Sequence, residues 1–335
     1  MSSWMVWAGR AMTWSLGALA VMVGCSSSDG GGSNVTADEA CNQYAAAVCD
    51  KAQSCAGTFI SVSFGDVATC KARALLECKA DLSAPSTAIT PADLAACATA
   101  STSASCAALL DNEVVPACLP KSGGLADGQA CGTDSQCKSA FCALDGDVAV
   151  CGKCAPKPVE GGACLEGKCP AGLRCSRKST CAKVVADGGA CDDGKPCATG
   201  SACYKGVCTK GQATEGAACD EATVAAPGCD GTKGFLCLAK KCTQAKFAAE
   251  GQPCGLELDA SMTALKSVTL CQKGGYCKGV DTSARPPVFK GTCAPAAKEG
   301  EACVADADIS KGPGCLEPAE CVGGKCVLPD PAACK

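Results

Sequence analysis

The chain contains no histidine, and its only tryptophans, Trp4, Trp7 and Trp14, lie near its start. Without histidine there are no Ser-His or Cys-His nucleophile pairs and no imidazole metal ligands. The usual general base near neutral pH is missing as well. A carboxylate pair could still do glycosidase-type work, but that chemistry needs a shaped cleft in a sizeable domain. Aromatic residues make up only 4%, and the 47% hydrophobic fraction is mostly alanine and cysteine, neither of which fills a large core. Net charge is −4 with the signs interspersed, so no basic stripe is offered to nucleic acid, and none is expected as a partner. The local cluster Arg174, Arg177, Lys178 and Lys183 reads as a solvated loop face. Long apolar runs are also missing. The longest, Ala11 to Val23, has 13 residues, and a bilayer core takes about 20 in a helix.

Cysteine, by contrast, is abundant: 35 of 335 residues. Glycine and proline add about a sixth of the chain. This composition describes a disulfide scaffold made in an oxidising compartment.

The first 24 residues read as a signal, with Arg10 ahead of the apolar run and small residues after it. The site Met22-Val23-Gly24-Cys25 resembles the bacterial lipobox, in which the cysteine thioether receives lipid and cleavage exposes its amine. That resemblance implies lipidation of Cys25, and Ser26 behind it implies the outer membrane rather than inner-membrane retention. An ordinary secretory signal ending at a cysteine is the alternative. Setting Cys25 aside leaves 34 cysteines, an even number that full pairing requires. Residues 25–34 then form the lipidated cysteine and a Ser/Gly tether, with a mean reach of roughly 15–18 Å.

Residues 35–120 carry the helical signals. Thr36-Ala-Asp-Glu39 is a capping-box pattern opening an Ala-rich helix through about Cys55. A second helix is predicted from near Asp66 past Glu77, and a third opens at Thr90-Pro91-Ala92-Asp93. Ser103 to Cys118 receives no assignment. Cys41 and Cys49 are eight residues apart, as are Cys70 and Cys78. On a helix, eight residues rise about 12 Å, too far for a direct bridge, yet turn only about 80° past two full turns. Antiparallel helices would therefore be stapled by the nested pairs Cys41–Cys78 and Cys49–Cys70. Cys55, Cys97, Cys106 and Cys118 would secure the third helix and the stretch after it.

Residues 121–335 repeat one phrase: an acid, a glycine, two residues and a cysteine. It begins at Asp127, Glu160, Asp187, Glu215, Glu250 and Glu299, marking six cysteine-rich repeats that start near 127, 160, 187, 215, 250 and 299. Each carries four cysteines, the tightest set being Cys191, Cys197, Cys203 and Cys208. Glycine-bearing turns around the later cysteines predict short irregular β-hairpins and loops held by two bridges per repeat, with Cys154–Cys334 as the extra pair. In that tightest repeat only Tyr204 and Val207 are apolar residues larger than alanine. Their burial offers about 1.5–3 kcal/mol each, against about 3 kcal/mol for each bridge. The expected fold class is thus small and disulfide-rich: a stapled α-helical module followed by tandem hairpin-and-loop repeats.

Metal is the rival use of cysteine, but the chain has no Cys-Cys or Cys-x-Cys and a single Cys-x-x-Cys, Cys151-Gly-Lys-Cys154. Zinc sites want two such knuckles, and a redox motif wants a βαβ setting. Structural disulfides are the expectation, with no metal or cofactor. Asp306, Asp308, Ser310 and Glu317 fall at the first, third, fifth and twelfth positions of an EF-hand-like loop. Lys311 stands where that loop needs glycine, and Pro313 and Cys315 interrupt it, which favours a plain inter-cysteine loop.

The repeated phrase together with Cys25 resembles the cysteine-rich surface lipoproteins of myxobacteria and their relatives, with four-cysteine repeats of the Dickkopf-N or EGF-like sort. The resemblance spans nearly the whole chain. It implies an envelope location and no particular activity. The expectation is a non-enzymatic, lipid-anchored protein of the outer membrane or cell surface. Its elongated arm would meet an unidentified protein or glycan partner. An array of protease-inhibitor-like bridged loops is the alternative. An enzyme would have to rely on carboxylates such as Asp192, Asp193, Asp306 and Asp308.

Overall fold

The computed structural model describes residues 35–144, 150–165, 167–220, 226–261, 264–281, 283–305 and 312–335. The expected signal, Cys25, the expected tether and residues 306–311 of the expected EF-hand-like loop lie outside these residues. Among the described residues no helix is long and apolar enough to cross a membrane.

Four helices come first: α1 (Ala37–Ser63), α2 (Val67–Ser83), α3 (Pro91–Ser103) and α4 (Cys106–Leu110). The Thr36 hydroxyl accepts from the Glu39 amide while Glu39 accepts from the Thr36 amide, a reciprocal cap. Thr90 and Asp93 repeat the device on α3. Cys41 is bonded to Cys78 and Cys49 to Cys70, with Cα atoms 5.6 and 5.9 Å apart, so α1 and α2 run antiparallel with two staples between them. Cys55–Cys106 and Cys97–Cys118 attach α4 and the following turn.

Helix α1 runs past Cys55 to Ser63, bending at Ala56, which has φ −151° and ψ 59°. The extension is β-branched and aromatic, and tertiary contacts hold it. Ile60 is buried, Phe59 and Phe64 meet edge to face at 5.9 Å, and the Ser61 and Val62 carbonyls accept from the Lys273 and Gly274 amides. A distant turn thus caps the helix through two of its backbone amides. The stretch left unassigned from sequence contains α4, whose N-cap Ser105 accepts from the Ala108 amide at 3.2 Å.

After the helices come short strands in six four-cysteine segments. Segment one holds β1 (Ala130–Cys131), β2 (Cys142–Leu144) and β3 (Gly152–Cys154). Segments two to four each hold an antiparallel pair: β4 (Arg174–Cys175) with β5 (Cys181–Ala182), β6 (Ser201–Tyr204) with β7 (Val207–Lys210), and β8 (Phe235–Leu238) with β9 (Lys241–Gln244). Segment five is larger. Here β10 (Lys246–Ala248), β11 (Pro253–Leu258), β12 (Leu265–Cys271), β13 (Tyr276–Lys278) and β14 (Lys290–Ala294) form one sheet in the order β10-β12-β11-β14-β13. Segment six holds β15 (Glu320–Val322) and β16 (Lys325–Val327).

With Cys151 and Cys334 set aside, four cysteines remain in each segment, and the first bonds the third and the second the fourth, as in Cys191–Cys203 with Cys197–Cys208. The acid-glycine phrase has one geometry throughout. Its glycines, from Gly128 to Gly300, sit at φ +79° to +84° in the third place of a four-residue turn, the position that a type II turn reserves for glycine. Each of the six glycine amides donates to the carbonyl of the fourth cysteine at 2.7–2.8 Å. That cysteine's own amide returns to the residue after the glycine at 2.8–3.0 Å.

The expected extra bridge, Cys154–Cys334, is corrected: Cys154 bonds Cys137, and Cys151 bonds Cys334. Segment one has five cysteines, and strand alternation decides between the two candidates. Cys154 is buried on β3, where its carbonyl accepts from Gly128 like every other fourth cysteine. Cys151 precedes the strand and is only half-buried.

An elongated arm is also corrected, because every segment touches the helices. Segment one pairs with the chain after α2 (Ala88 N–H to Ser135 O, 3.0 Å), and segment two takes Asn112. Segment three takes Asp111, segment four packs Gly231–Lys233 against α1, and segment five caps α1. Segment six receives Arg73 of α2, and Cys151–Cys334 ties it back to segment one. The circuit is closed, and its members are held by burying helix ends and joints that a free array would leave in water.

Candidate functional site: the joints of the circuit

Three joints concentrate the buried polar chemistry. At the first, one Asp111 oxygen accepts from the Thr199 amide (2.7 Å), the Thr199 hydroxyl (2.6 Å) and the Arg174 guanidinium (2.9 Å). Arg174 reaches on to the Cys197 carbonyl at 3.2 Å. It is therefore corrected from a solvated loop residue to a link between segments two and three and the end of α4. Arg177, Lys178 and Lys183 do lie exposed. Next to Asp111, Asn112 adopts φ +57° and donates to the Pro170 and Leu173 carbonyls at 3.1 and 3.0 Å.

Proline explains why segment two needs Asn112. In segments one, three, four and six, a residue ahead of the phrase exchanges two backbone bonds with the residues flanking the second cysteine, as Val185 does with Pro196 and Ala198. The corresponding donors in segment two are Pro158 and Pro170, which have no N–H. The ladder is missing there, and Val159 stands 70% exposed.

The second joint is built on Asp134 and Gln136 of segment one. Asp134 accepts from the Cys142 amide and from Lys168 of segment two, both at 2.7 Å, and Lys168 also lies 5.1 Å from the Phe141 ring centre. Gln136 accepts from the Gly132 and Thr133 amides and donates to Pro85 O at 2.9 Å and Pro331 O at 3.5 Å.

The third joint carries the most charge. Arg73, Glu77 and Asp81 are spaced four apart and so form one stripe along α2. Arg73 is buried, pairs with Glu299, and donates to the Glu317 carbonyl at 2.6 Å and the Leu316 carbonyl at 2.8 Å. Glu77, Glu317 and Glu320 lie together beside it, and Asp81, two turns on from Arg73, faces Glu77 and the Asp134 of the second joint. Burial pushes Asp81 up to about 8, with Glu77 and Asp134 adding to it. Burial also pushes Glu317 up to about 7, reinforced by Glu320 and Glu77. Glu320 and Glu77 are raised by burial too, and so is the Tyr44 phenol beside Glu77 and Asp81. These carboxyls are surrounded by protein yet keep surface open to water, Glu77 most of all, so solvent limits each shift. Glu299, paired with Arg73, is lowered although its partial burial works the other way.

The residues singled out from sequence do not converge on chemistry. Cys25, Asp306, Asp308 and Ser310 lie outside the described residues. Glu317, the would-be twelfth calcium ligand, belongs to the α2 joint. Asp192 accepts from the Gly194 amide at 2.6 Å, and Asp193 lies 3.7 Å from Arg177, both on exposed turns. Cys151 and Cys154 belong to different bridges. Cysteine sulfurs do cluster within 4.8 Å, as at Cys131, Cys137 and Cys142, but each is in a disulfide and offers no thiolate to a metal. The α2 stripe was readable as an i, i+4, i+8 series of charges; the partners of Arg73, more than 200 residues away, were not.

The molecule is a very cysteine-rich, disulfide-built protein with an N-terminal helical region and many short antiparallel strand pairs. No family model matches the chain, and no curated protein or solved structure matches it either.

Proposed function

We propose that this chain is a non-enzymatic lipoprotein of the outer membrane or cell surface, anchored through lipid on Cys25. Residues 35–335 would be a disulfide-rigidified interaction or structural module presented to an unidentified protein or glycan. The six segments are read as tandem repeats of one unit, joined to a helical module at 35–120. The shared bridge order and the six matching glycine turns support that reading.

One observation carries the proposal: buried polar side chains are spent on joining segments to the helical part and to one another. Arg73, Asp111, Asp134 and Gln136 all hold the circuit together. A module built this way presents a fixed surface at low entropic cost to a partner. Disulfide richness fits an extracytoplasmic setting.

The test is expression in a bacterial host with its own lipoprotein pathway, followed by intact-mass analysis and membrane fractionation. Expected are a diacylglycerol-modified N-terminus at Cys25, sedimentation with membranes, and release to the soluble fraction by Cys25→Ser. A soluble mature protein with an unmodified or uncleaved start overturns the reading.

A further inference from the structure

Of the seventeen bridges among the described residues, sixteen close separations of 11 to 51 residues inside the helical part or one segment. Cys151–Cys334 alone spans 183 and alone joins two segments. Both its cysteines are half-exposed, and the run Leu328–Lys335 that carries Cys334 has no strand pairing. Its other ties are the packing of Leu328 against Ala297, Ala319 and Cys326 within segment six, and, toward segment one, the 3.5 Å contact from Gln136 to Pro331 and the close approach of Pro331 to Gly132. A local bridge, once reduced, keeps its thiols side by side on a hairpin that its neighbour bridge still holds. The thiols of Cys151 and Cys334 are held together only by the joints between segment six, α2 and segment one.

Those joints are where like charge collects. Glu317 of segment six faces its neighbour Glu320 and Glu77 of α2, and Asp81, one turn along α2 from Glu77, faces Glu77 and Asp134 of segment one, which is itself paired with Lys168. Lys168 and Thr133 stand near Asp81, and Tyr44 of α1 backs Glu77 and Asp81. Arg73 is the cation at this joint, committed to Glu299 and to two carbonyls, with Lys298 beside Glu299. Like carboxylates brought together repel once ionised, and that repulsion pushes segment six away from α2.

We propose that Cys151–Cys334 is a redox-addressable clasp, the bridge that a dithiol reduces first, and that its opening lets segment six leave α2 when the joint carboxyls ionise. In the step a dithiol thiolate attacks one sulfur of the bridge and forms a mixed disulfide. Its second thiol then displaces the protein sulfur, so both cysteines end as thiols and the dithiol as a disulfide. The partner class is thus a dithiol reductant of the same compartment. With the clasp closed, the circuit holds at every pH at which the protein is folded.

Two measurements test this on the full folded chain. The first is graded reduction with dithiothreitol, trapping with iodoacetamide and peptide mass mapping. Cys151 and Cys334 are expected to be labelled first, with at least tenfold preference over any other pair. Earlier labelling of Cys55 and Cys106, whose bridge is also accessible, or of any segment pair, overturns the clasp. The second is amide hydrogen exchange at pH 5.5 and 8.5, corrected for intrinsic rates, on wild type and on Cys151→Ser/Cys334→Ser. In the double variant, residues 313–327 should lose at least tenfold protection at pH 8.5 and keep it at pH 5.5, and Glu317→Gln should shrink the difference. Equal protection at both pH values, or the same loss in oxidised wild type, overturns the coupling.

Discussion

The amide of Gly188 donates to the carbonyl of Cys208 at 2.8 Å while Gly188 itself sits at φ +83°. A Cβ built on Gly188 would have nothing within 4 Å. The glycine is therefore required for its backbone conformation and not for space. Gly188→Ala should cost about 1–2 kcal/mol, the strain of a left-handed residue with a side chain. Gly152 is the opposite case: its Cβ would run into the backbone of Ala143 and Leu144 across the β2–β3 ladder. Gly152→Ala should therefore lower the melting temperature of the oxidised protein more than Gly188→Ala. Equal shifts, or no shift for Gly188→Ala, would contradict the turn assignment.

Asp111 offers a sharper energetic test. Its side chain is 9% exposed and satisfies Arg174 and both donors of Thr199. Asp111→Ala leaves a largely buried guanidinium unpaired, which costs about 3–5 kcal/mol when such a pair is broken. Asp111→Ala/Arg174→Met should recover part of that loss, because the stranded charge goes with it. Thermal melting with all bridges intact reads both, and no loss in Asp111→Ala would contradict a joint at this place.

Acidity should matter in two opposite ways. The joint carboxyls Asp81 and Glu317 have folded values near 8 and 7, above the roughly 4 of an unfolded carboxyl. Between those values the folded chain binds more protons than the unfolded one, so stability is fully present near pH 4 and falls as pH rises through 7 and 8. Asp66 and Asp93, lowered despite the opposing effect of burial by bonds to Thr69 and Thr90 at helix starts, act the other way below about pH 4. Melting temperature at constant ionic strength should therefore peak near pH 5 and decline by pH 8.5, with Glu317→Gln flattening the alkaline arm. A rise from pH 5 to 8.5 would contradict the raised values.

Sequence showed the helices well, because their signals are local. Thr36 with Glu39 and Thr90 with Asp93 need only three residues to declare a helix start. The eight-residue spacing of Cys41/Cys49 and Cys70/Cys78 constrains pairing through helix geometry alone. Ser105, the cap of α4, was a usable signal that a short, cysteine-bearing stretch obscured. The circuit was not legible. Choosing Cys151 over Cys154 for Cys334 depends on Cys154 being the one buried on β3, and capping of α1 by Lys273 and Gly274 leaves no local trace. Arg174 looked like one more surface cation because its partner Asp111 is 63 residues away. Pro158 and Pro170 acquire meaning only against the ladder present in other segments.

Crosslinks stand in for a hydrophobic interior in most of the segments, whereas the helices and the sheet of segment five keep apolar clusters around Ile60 and around Leu256 and Val268. Buried groups in the segments are largely the cysteines themselves, as in the cluster of Cys131, Cys137, Cys142 and Cys154. The most direct measurement is the hydrodynamic radius and far-ultraviolet circular dichroism of the protein after complete reduction and alkylation, beside the oxidised form. Expansion to a denatured-chain radius with loss of the strand and turn signal is the predicted result. A reduced, alkylated chain that keeps its native radius and spectrum would contradict it.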